Sequence, residues 1–301
     1  MLRKLTYTVE CDDDGKKVSD ILKQRFGVSG MLINRIKKTE NGLLLNGKSI
    51  YAIDIAHTGD VIDVILEEEG RASEMVVATE GELDVLFENE DILVVNKPSN
   101  CAVHPSHGHF STSLGNVVMW YYKQKGESFV FRPINRLDRG VSGVMAIAKN
   151  AYSHTFASRL LHSGSFYREY LAVIEGKLSE KKGEIKAPIG RRDGSVIERE
   201  VRPDGDYAET AYEVISSNGK KSLVRVVPKT GRTHQIRVHM AYIGHPLAGD
   251  FLYGSEHPNL PGRCALHSHR LHMELPFNAG VIDIAAPLPD DLRKVYEEKA
   301  D

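Results

Sequence analysis

The chain has 301 residues, of which 41% are apolar and 27% charged, and its formal net charge is −2. This composition excludes an intrinsically disordered chain, and the length suits about two domains. No apolar run reaches the roughly 18 residues of a membrane span, and the first residues lack the apolar core of a signal peptide. Three widely spaced cysteines, Cys11, Cys101 and Cys264, argue against a disulfide framework. We therefore expect a cytoplasmic protein without a membrane partner, and near-neutrality by itself disfavours binding to nucleic acid.

The charge is unevenly distributed along the chain. Between Glu67 and Asp91 there are ten acidic residues and one basic residue, a net charge of −9. The remaining residues comprise 38 bases and 31 acids, a net charge of +7. The glycine-bounded part of the acidic segment, 70–81, is predicted to be a linker. The expected organisation is a small domain over 1–69, this linker, and a larger domain over 82–301.

The first predicted elements form a small module. Helical spacing of apolar residues predicts a helix over 17–26 and a second helix that begins after the N-cap residue Ser29. An Asn-Gly pair at 46–47 predicts a hairpin turn, and a strand is predicted over 61–66. Three basic residues, Arg35, Lys37 and Lys38, lie off the apolar face of the second helix. They either form a solvated helix face or contact RNA phosphates.

Histidines are clustered in the larger region. A short buried strand is predicted to end at Pro98, just before a loop that begins with His104. Two groups of three histidines raise the possibility of a metal site: His104, His107 and His109, and then His267, His269 and His272. Neither group has the cysteine pair or the His-Glu-x-x-His helix that would complete a zinc site. We expect no metal here and expect the first loop to line a substrate groove instead.

The most distinctive segment lies at 132–143, before an apolar strand over 144–148. Its glycines and serine predict a tight turn that fixes Asp138 between Arg136 and Arg139. Cations this close favour the ionised carboxylate, which could act as a nucleophile or a base, while the arginines could hold phosphates. The alternative is that Asp138 closes a turn and both arginines are surface charges.

The elements that follow complete the larger domain. A helix is predicted over 151–162, and strands are predicted over 167–174, 212–214 and 222–227. In the first of these strands, Tyr170 shares a face with the apolar residues two and four positions further on.

A last helix is predicted to begin at Thr233 as its N-cap, with Ile236 and Met240 on its apolar face. Arg237 lies beside that face, so its guanidinium must find an anionic partner or reach solvent.

Several short motifs occur in order along the chain: Asn96-Lys97-Pro98 with His104-Pro105, Arg136-Leu137-Asp138-Arg139 with Ser142-Gly143, Arg168-x-Tyr170-Leu171-Ala172, Gly231-Arg232-Thr233-His234-Gln235-Ile236-Arg237-Val238-His239, and Gly244-His245-Pro246-Leu247-x-Gly249-Asp250. With these motifs, residues 80–290 resemble the RluA-type family of RNA pseudouridine synthases. The front module resembles the S-four-like (alpha-L) RNA-binding domain. The resemblance implies an α+β fold with a mixed, largely antiparallel sheet and a central cleft, preceded by a small α/β RNA-binding domain.

The resemblance also implies roles for single residues. Asp138 corresponds to the essential catalytic aspartate, and Arg136 to the arginine that enters the RNA where the target base leaves. Tyr170 corresponds to the tyrosine that stacks on the flipped uracil. Arg237 corresponds to the arginine that pairs with the catalytic carboxylate, with Arg232 as the less favoured alternative. The other residues expected to contact substrate are Arg139, Ile236, Val238, Asn96, Lys97 and His104.

The activity that the resemblance implies is isomerisation of specific uridines in structured RNA, without a cofactor. Large-subunit ribosomal RNA is the favoured substrate, and transfer RNA or a non-catalytic RNA-binding role are the alternatives. Asp138 could attack the anomeric carbon or remove the ribose 2′ proton, and the sequence does not separate these routes. We expect a monomer.

Overall fold

The structure is a computed structural model that describes residues 2–67, 76–105, 110–163 and 165–298. Within these residues, no helix is both long and apolar enough to cross a membrane. The α-helices are α1 (Val18–Phe26), α2 (Gly30–Ile36), α3 (Leu114–Gln124), α4 (Ala151–Ser163), α5 (Gln235–Tyr242) and α6 (Asp290–Glu297). The strands are β1 (Leu2–Thr8), β2 (Lys16–Lys17), β3 (Leu43–Leu45), β4 (Lys48–Ser49), β5 (Ile55–Ala56), β6 (Val61–Glu67), β7 (Val85–Glu88), β8 (Ile92–Lys97), β9 (Arg132–Pro133), β10 (Ser142–Ala148), β11 (Tyr167–Glu175), β12 (Lys182–Lys186), β13 (Ile189–Arg191), β14 (Arg199–Val201), β15 (Glu209–Ser217), β16 (Lys221–Pro228), β17 (Leu266–Glu274) and β18 (Val281–Ala285).

The front domain is an antiparallel sheet in the order β1-β6-β3-β4, packed against α1 and α2. Helix α1 ends at Gly27, whose φ of 63° is left-handed, a conformation that glycine adopts without strain. Helix α2 begins after Ser29, whose side chain accepts a hydrogen bond from the backbone N–H of Leu32 at 3.1 Å. The two predicted helices are therefore confirmed, whereas β1 had no clear signal in the sequence.

The large sheet has the order β12-β15-β16-β11-β17-β10-β8-β7, with β18 beside β17 and β9 beside β10. Its strand pairs are antiparallel except β10 and β17, which run parallel near the middle of the sheet. The expected mixed, largely antiparallel sheet is confirmed. The two central strands approach so closely that a Cβ on Gly143 would lie 2.2 Å from the carbonyl oxygen of Ser268, and Gly143 has a φ of +116°. The loop that carries Asp138 therefore enters the sheet at its centre.

Only part of the predicted linker, 76–81, lies within the described residues. This part packs along α3: the N–H of Thr79 donates to the carbonyl oxygen of Asn116 at 3.1 Å, and the Asn116 amide donates to Val77 at 2.6 Å. These residues therefore join the larger domain, and the predicted boundaries at 69 and 81 stay a prediction.

The two domains contact each other through Arg3 and α4. The guanidinium of Arg3 donates to both carboxylate oxygens of Asp91, at 3.1 and 2.6 Å, and lies 4.5 Å from the ring centre of Phe277. Tyr152, on α4, is buried within the apolar core of the front domain. Part of the acidic segment thus forms intramolecular ion pairs and is not a solvated surface.

Glu88, at the end of β7, joins three elements of the larger domain. Its carboxylate accepts hydrogen bonds from the hydroxyls of Tyr121 and Tyr122 on α3, and forms ion pairs with Lys125 at 2.9 Å and Lys149 at 2.8 Å. Burial alone would raise the pKa of Glu88, but these donors outweigh it and lower the pKa to about 2. The stability that Glu88 contributes is therefore present above about pH 4.5 and is lost as the pH falls towards 2.

Replacing Glu88 should weaken the protein in a pH-dependent manner. We expect Glu88→Gln to lower the free energy of unfolding by about 1–2 kcal/mol at pH 7, allowing for partial solvent screening, with a smaller loss at pH 3.5. Urea unfolding at both pH values measures this, with Glu127→Gln on the exposed turn after α3 as the matched control. A loss of equal size at both pH values would contradict the assignment.

Candidate active site

A cavity of about 140 Å³ opens where three distant segments of the chain meet. The loop before β10, the start of β11, and the turn between β16 and α5 supply its walls. The residues lining it are Arg136, Leu137, Asp138, Val141, Arg168, Tyr170, Pro228, Thr230, Gly231, Arg232, Thr233, His234, Gln235, Ile236, Arg237 and Leu266. The cavity therefore brings together the motifs at 136–139, 168–172 and 231–239, which are far apart in the sequence.

The Asp138 loop is held by a buried cation beneath it. The carbonyl oxygen of Asp138 accepts the N–H of Val141 at 3.0 Å, which closes the predicted tight turn. Lys97, at the end of β8, donates its Nζ hydrogens to the carbonyl oxygens of Pro98 at 2.9 Å, Cys101 at 2.8 Å and Arg139 at 3.4 Å.

Lys97 was predicted to contact substrate, and the structure corrects this prediction. Its side chain is fully buried, and burial lowers its pKa to about 8. An ammonium group has three N–H donors, and all three meet carbonyl oxygens of the protein. Lys97 therefore supports the Asp138 loop from behind and does not face the cavity.

Arg237 is the centre of the charge arrangement. Its Nε and Nη2 donate to the two carboxylate oxygens of Asp250, each at 2.7 Å, in a buried two-pronged pair. Its remaining nitrogen, Nη1, donates to Oδ2 of Asp138 at 3.3 Å. Burial opposes the charge of Arg237, but the Asp250 carboxylate raises its pKa above the ordinary value. Arg237, not Arg232, is the arginine beside Asp138.

Asp250 is the partner that the sequence did not assign, although it closes the last of the motifs. Its side chain is fully buried, and Oδ1 also accepts the backbone N–H groups of Leu252 at 3.1 Å and Tyr253 at 3.3 Å. A buried carboxylate with this many donors has a fixed orientation. It therefore fixes the plane of the Arg237 guanidinium in turn.

The helix that carries Arg237 begins later than expected. Helix α5 starts at Gln235, and His234 occupies the cap position, so the prediction of Thr233 as N-cap is wrong. The Gln235 amide holds the preceding turn instead: its oxygen accepts from the Thr230 hydroxyl at 2.7 Å and from the Arg232 N–H at 2.9 Å. Gln235, together with Thr230, therefore shapes this turn in place of a Thr233 cap.

Tyr170 and Arg168 lie on the same wall of the cavity, at the start of β11. Tyr170 is buried in the apolar core with Ala172 and Ile174, which confirms the predicted shared face. Burial raises the pKa of the Tyr170 hydroxyl, which therefore stays protonated at neutral pH. Ile236 also lines the cavity, as expected.

Arginines surround the mouth of the cavity. Arg136 lines it with an exposed side chain and, among the described residues, forms no hydrogen bond or ion pair. Arg168 likewise has no ion pair with a described carboxylate, and its buried Nε has no hydrogen-bond partner there. Arg232 is exposed and contacts the Tyr207 carbonyl oxygen at 3.0 Å and Asp206 at 3.3 Å. These cations give the rim of the cavity a positive charge.

Besides Lys97, four predicted substrate contacts lie outside the walls of the cavity. Val238 is buried in a separate apolar cluster behind α5, because it faces the other side of the helix. Asn96 donates to Asp84 at 2.9 Å. The Arg139 side chain is exposed and its carbonyl oxygen accepts from Lys97. His104 packs edge-on against Phe131, with ring centres 5.2 Å apart. For Val238 the expected substrate contact is wrong.

The histidine groups have protein partners. Nδ1 of His267 lies 2.9 Å from the Ser142 hydroxyl, Nδ1 of His269 lies 2.7 Å from the carbonyl oxygen of Ala286, and His272 lies 3.5 Å from Asp283. His107 and His109 lie outside the described residues. In the part of the chain that the structure describes, no three side chains are grouped as metal ligands.

Comparison with known proteins assigns the chain that carries this mixed sheet and cavity to a class of RNA-modifying enzyme. The family described as RNA pseudouridylate synthase matches residues 91–242. A Bacillus subtilis relative named uncharacterized RNA pseudouridine synthase YjbO is 39% identical over 271 residues, covering 90% of this chain and 95% of the relative. Ribosomal large subunit pseudouridine synthase D of Haemophilus ducreyi is 32% identical, covering 99% and 95%.

A solved structure supports the same assignment. Human RNA pseudouridylate synthase domain containing 1 is 26% identical with a TM-score of 0.58, and the match covers 68% of this chain and 83% of the human chain. The chain therefore belongs to the RluA-type family of RNA pseudouridine synthases. Its reaction class is the isomerisation of uridine in RNA to pseudouridine.

Breaking the Arg237–Asp250 pair should cost far more stability than breaking an equivalent pair at the surface. Removing one partner of a buried pair leaves the other charge uncompensated, so we expect Asp250→Ala to lower the free energy of unfolding by about 3–5 kcal/mol. The matched control is Asp283→Ala, because Asp283 forms a similar two-pronged pair with Arg270 at an exposed site, where the loss should stay below about 1 kcal/mol. Equal losses in urea unfolding would contradict this account.

Proposed function

We propose that the protein isomerises specific uridines of large-subunit ribosomal RNA, with Asp138 as the reacting carboxylate. The observation that carries this proposal is the position of Asp138 at the cavity wall, with Oδ2 on Arg237 and the Tyr170 ring on the neighbouring wall. The choice of ribosomal RNA is supported by the Haemophilus ducreyi relative, whose name states a ribosomal large-subunit role and which matches this chain over nearly its whole length.

The proposed reaction requires the cavity to receive a flipped base. A base inside a duplex cannot be reached, so enzymes of this kind take it out of the stack into a pocket. The Tyr170 ring offers a surface on which uracil stacks, a contact worth roughly 1–3 kcal/mol per base. Arg136, exposed at the mouth, can fill the gap that the base leaves. Arg168, without a carboxylate partner among the described residues, can hold a phosphate or the detached uracil anion.

Asp138 can start the reaction in two ways. It can attack the anomeric carbon, forming a carbon–oxygen bond as the carbon–nitrogen bond to uracil breaks, or it can remove the 2′ proton so that uracil leaves by elimination. In the first route, carbon 5 of the turned uracil then displaces the carboxylate from the anomeric carbon. In the second, carbon 5 adds to that carbon of the unsaturated sugar while the 2′ carbon takes back a proton. In both routes carbon 5 finally loses its own proton. Arg237 keeps the carboxylate oriented in both routes, and no cofactor is required by this chemistry.

The front domain would supply the second contact with the RNA. We propose that it acts as an S-four-like domain through Arg35, Lys37 and Lys38, all exposed on or just after α2. Cations at this position can bind RNA phosphates. Such contacts supply affinity but do not distinguish one RNA sequence from another. Because the overall charge is near neutral, non-specific affinity should be modest, and the shape of the folded RNA should select the site.

The first test of this proposal is Asp138→Asn, which preserves the shape of the side chain. We expect turnover, measured as tritium release from carbon 5 of uridine, to fall by at least about 1,000-fold, while the dissociation constant for RNA changes less than about threefold. Asp204→Asn, at an exposed ion pair with Arg202 away from the cavity, is the control and should keep full activity. Substantial turnover by Asp138→Asn would refute the catalytic assignment.

The substrate is tested by mapping pseudouridine in cells with and without this gene. We expect one or a few sites in large-subunit ribosomal RNA to lose pseudouridine and to regain it when the wild-type gene, but not the Asp138→Asn gene, is restored. Loss of sites only in transfer RNA would contradict the proposed substrate and leave the chemistry intact.

A further inference from the structure

A chain of hydrogen bonds leads from β14 to the Asp138 carboxylate. The backbone N–H of Arg199 donates to the Tyr253 hydroxyl at 2.9 Å, and this hydroxyl lies 2.8 Å from Nδ1 of His234. The other ring nitrogen of His234, Nε2, lies 3.7 Å from Oδ2 of Asp138. His234 thus connects a half-buried backbone donor to the carboxylate in the cavity.

These hydrogen bonds favour one position for the proton of His234. The Tyr253 oxygen already accepts from the N–H of Arg199, and donation of its own hydrogen to Nδ1 of His234 satisfies both groups, with Nδ1 as the acceptor. Burial lowers the pKa of His234, although Asp138 opposes this, so the ring is neutral near pH 7. In the neutral ring the single proton must then lie on Nε2, the nitrogen that faces Asp138.

Arg237 and His234 both face the same carboxylate oxygen of Asp138. Arg237 Nη1 donates to Oδ2 at 3.3 Å, and His234 Nε2 faces that same Oδ2. Among the described residues, Oδ1 of Asp138 has no hydrogen-bond partner, and the side chain is 30% exposed on the cavity wall. One oxygen is therefore held by the protein, and the other is open to the cavity.

His234 also has an unusual backbone conformation. Its φ of 57° and ψ of 17° are left-handed, a region that only a few per cent of non-glycine residues adopt, most often asparagine, aspartate and histidine. Strain of this kind persists where the surrounding structure imposes it, and it recurs at functional sites. Here the strained residue is the one whose ring reaches the carboxylate.

We propose that His234 is a positioning residue that donates its Nε2 hydrogen to Oδ2 of Asp138 and so leaves Oδ1 as the atom that reacts with the ribose. The inference rests on the proposed role of Asp138. The 3.7 Å separation is longer than a hydrogen bond, and such contacts shorten when a substrate closes the site. Tyr253 fixes the ring in the required tautomer from behind.

Two amide substitutions distinguish this role of the His234 side chain from an effect of its left-handed backbone conformation. The His234→Gln amide can present an N–H close to the position of Nε2, whereas the His234→Asn amide is too short, although asparagine suits the left-handed backbone better. We expect the single-turnover rate of His234→Asn to fall about 10–100-fold, as for loss of one hydrogen bond to a charged group, and that of His234→Gln to fall distinctly less. RNA affinity should stay within about twofold for both.

The control is His245→Gln at the other end of α5, where Nδ1 faces the carbonyl oxygen of Glu175 and no change in rate is expected. If His234→Asn is as active as His234→Gln or more so, or if both equal the wild type, the proposal is overturned while the assignment of Asp138 stands. Activity in Asp138→Asn would instead refute the proposed function itself.

A measurement on the unmutated ring tests the proposal independently of the turnover of any variant. Nitrogen-15 NMR of the wild-type protein, with the His234 signal assigned by its absence in His234→Gln, reports which ring nitrogen is protonated. We expect the Nε2–H tautomer in the wild type and a mixture of tautomers in Tyr253→Phe. An Nδ1–H tautomer in the wild type would overturn the proposal.

Discussion

The site depends on one buried contact, the two-pronged pair between Arg237 and Asp250. Two prongs fix the plane of the guanidinium, and the third nitrogen then points at Asp138. A buried pair of this kind costs desolvation, so its value lies in orientation more than in net stability. Asp138 would otherwise be a half-exposed carboxylate free to rotate. Because of this pair, Arg237 fixes Oδ2 of Asp138, and Oδ1 is left accessible from the cavity.

The sheet places this contact where three motifs can meet. The parallel strands β10 and β17 lie near its middle, and their close approach requires Gly143. The loop before β10 consequently emerges at the centre of the sheet, with Lys97 holding it from below. Helix α5 brings Arg237 from one side, and β11 brings Tyr170 from the other. The loop and the turn that form walls of the site are thus each anchored to a strand or helix of the larger domain.

The sequence predicted the features that follow from local patterns. Period-two alternation placed Tyr170 on the core face of its strand, and the Ser29 cap marked the second helix, because both depend on neighbouring residues. From the sequence, the site could be predicted only as a set of motifs, without the contacts that join them. The role of Lys97 was missed because its carbonyl partners are fixed by tertiary structure. Asp250 and Tyr253 were missed for the same reason, since nothing local shows which cation or ring they contact.

The most direct test of the account is a crystal structure of the wild-type protein bound to RNA that carries pseudouridine at the target position. The account predicts the uracil ring against Tyr170, Oδ2 of Asp138 on Arg237, and Oδ1 within about 3.5 Å of the ribose carbons that react. A nucleotide bound outside this cavity, or an Asp138 carboxylate turned away from Arg237, would contradict it.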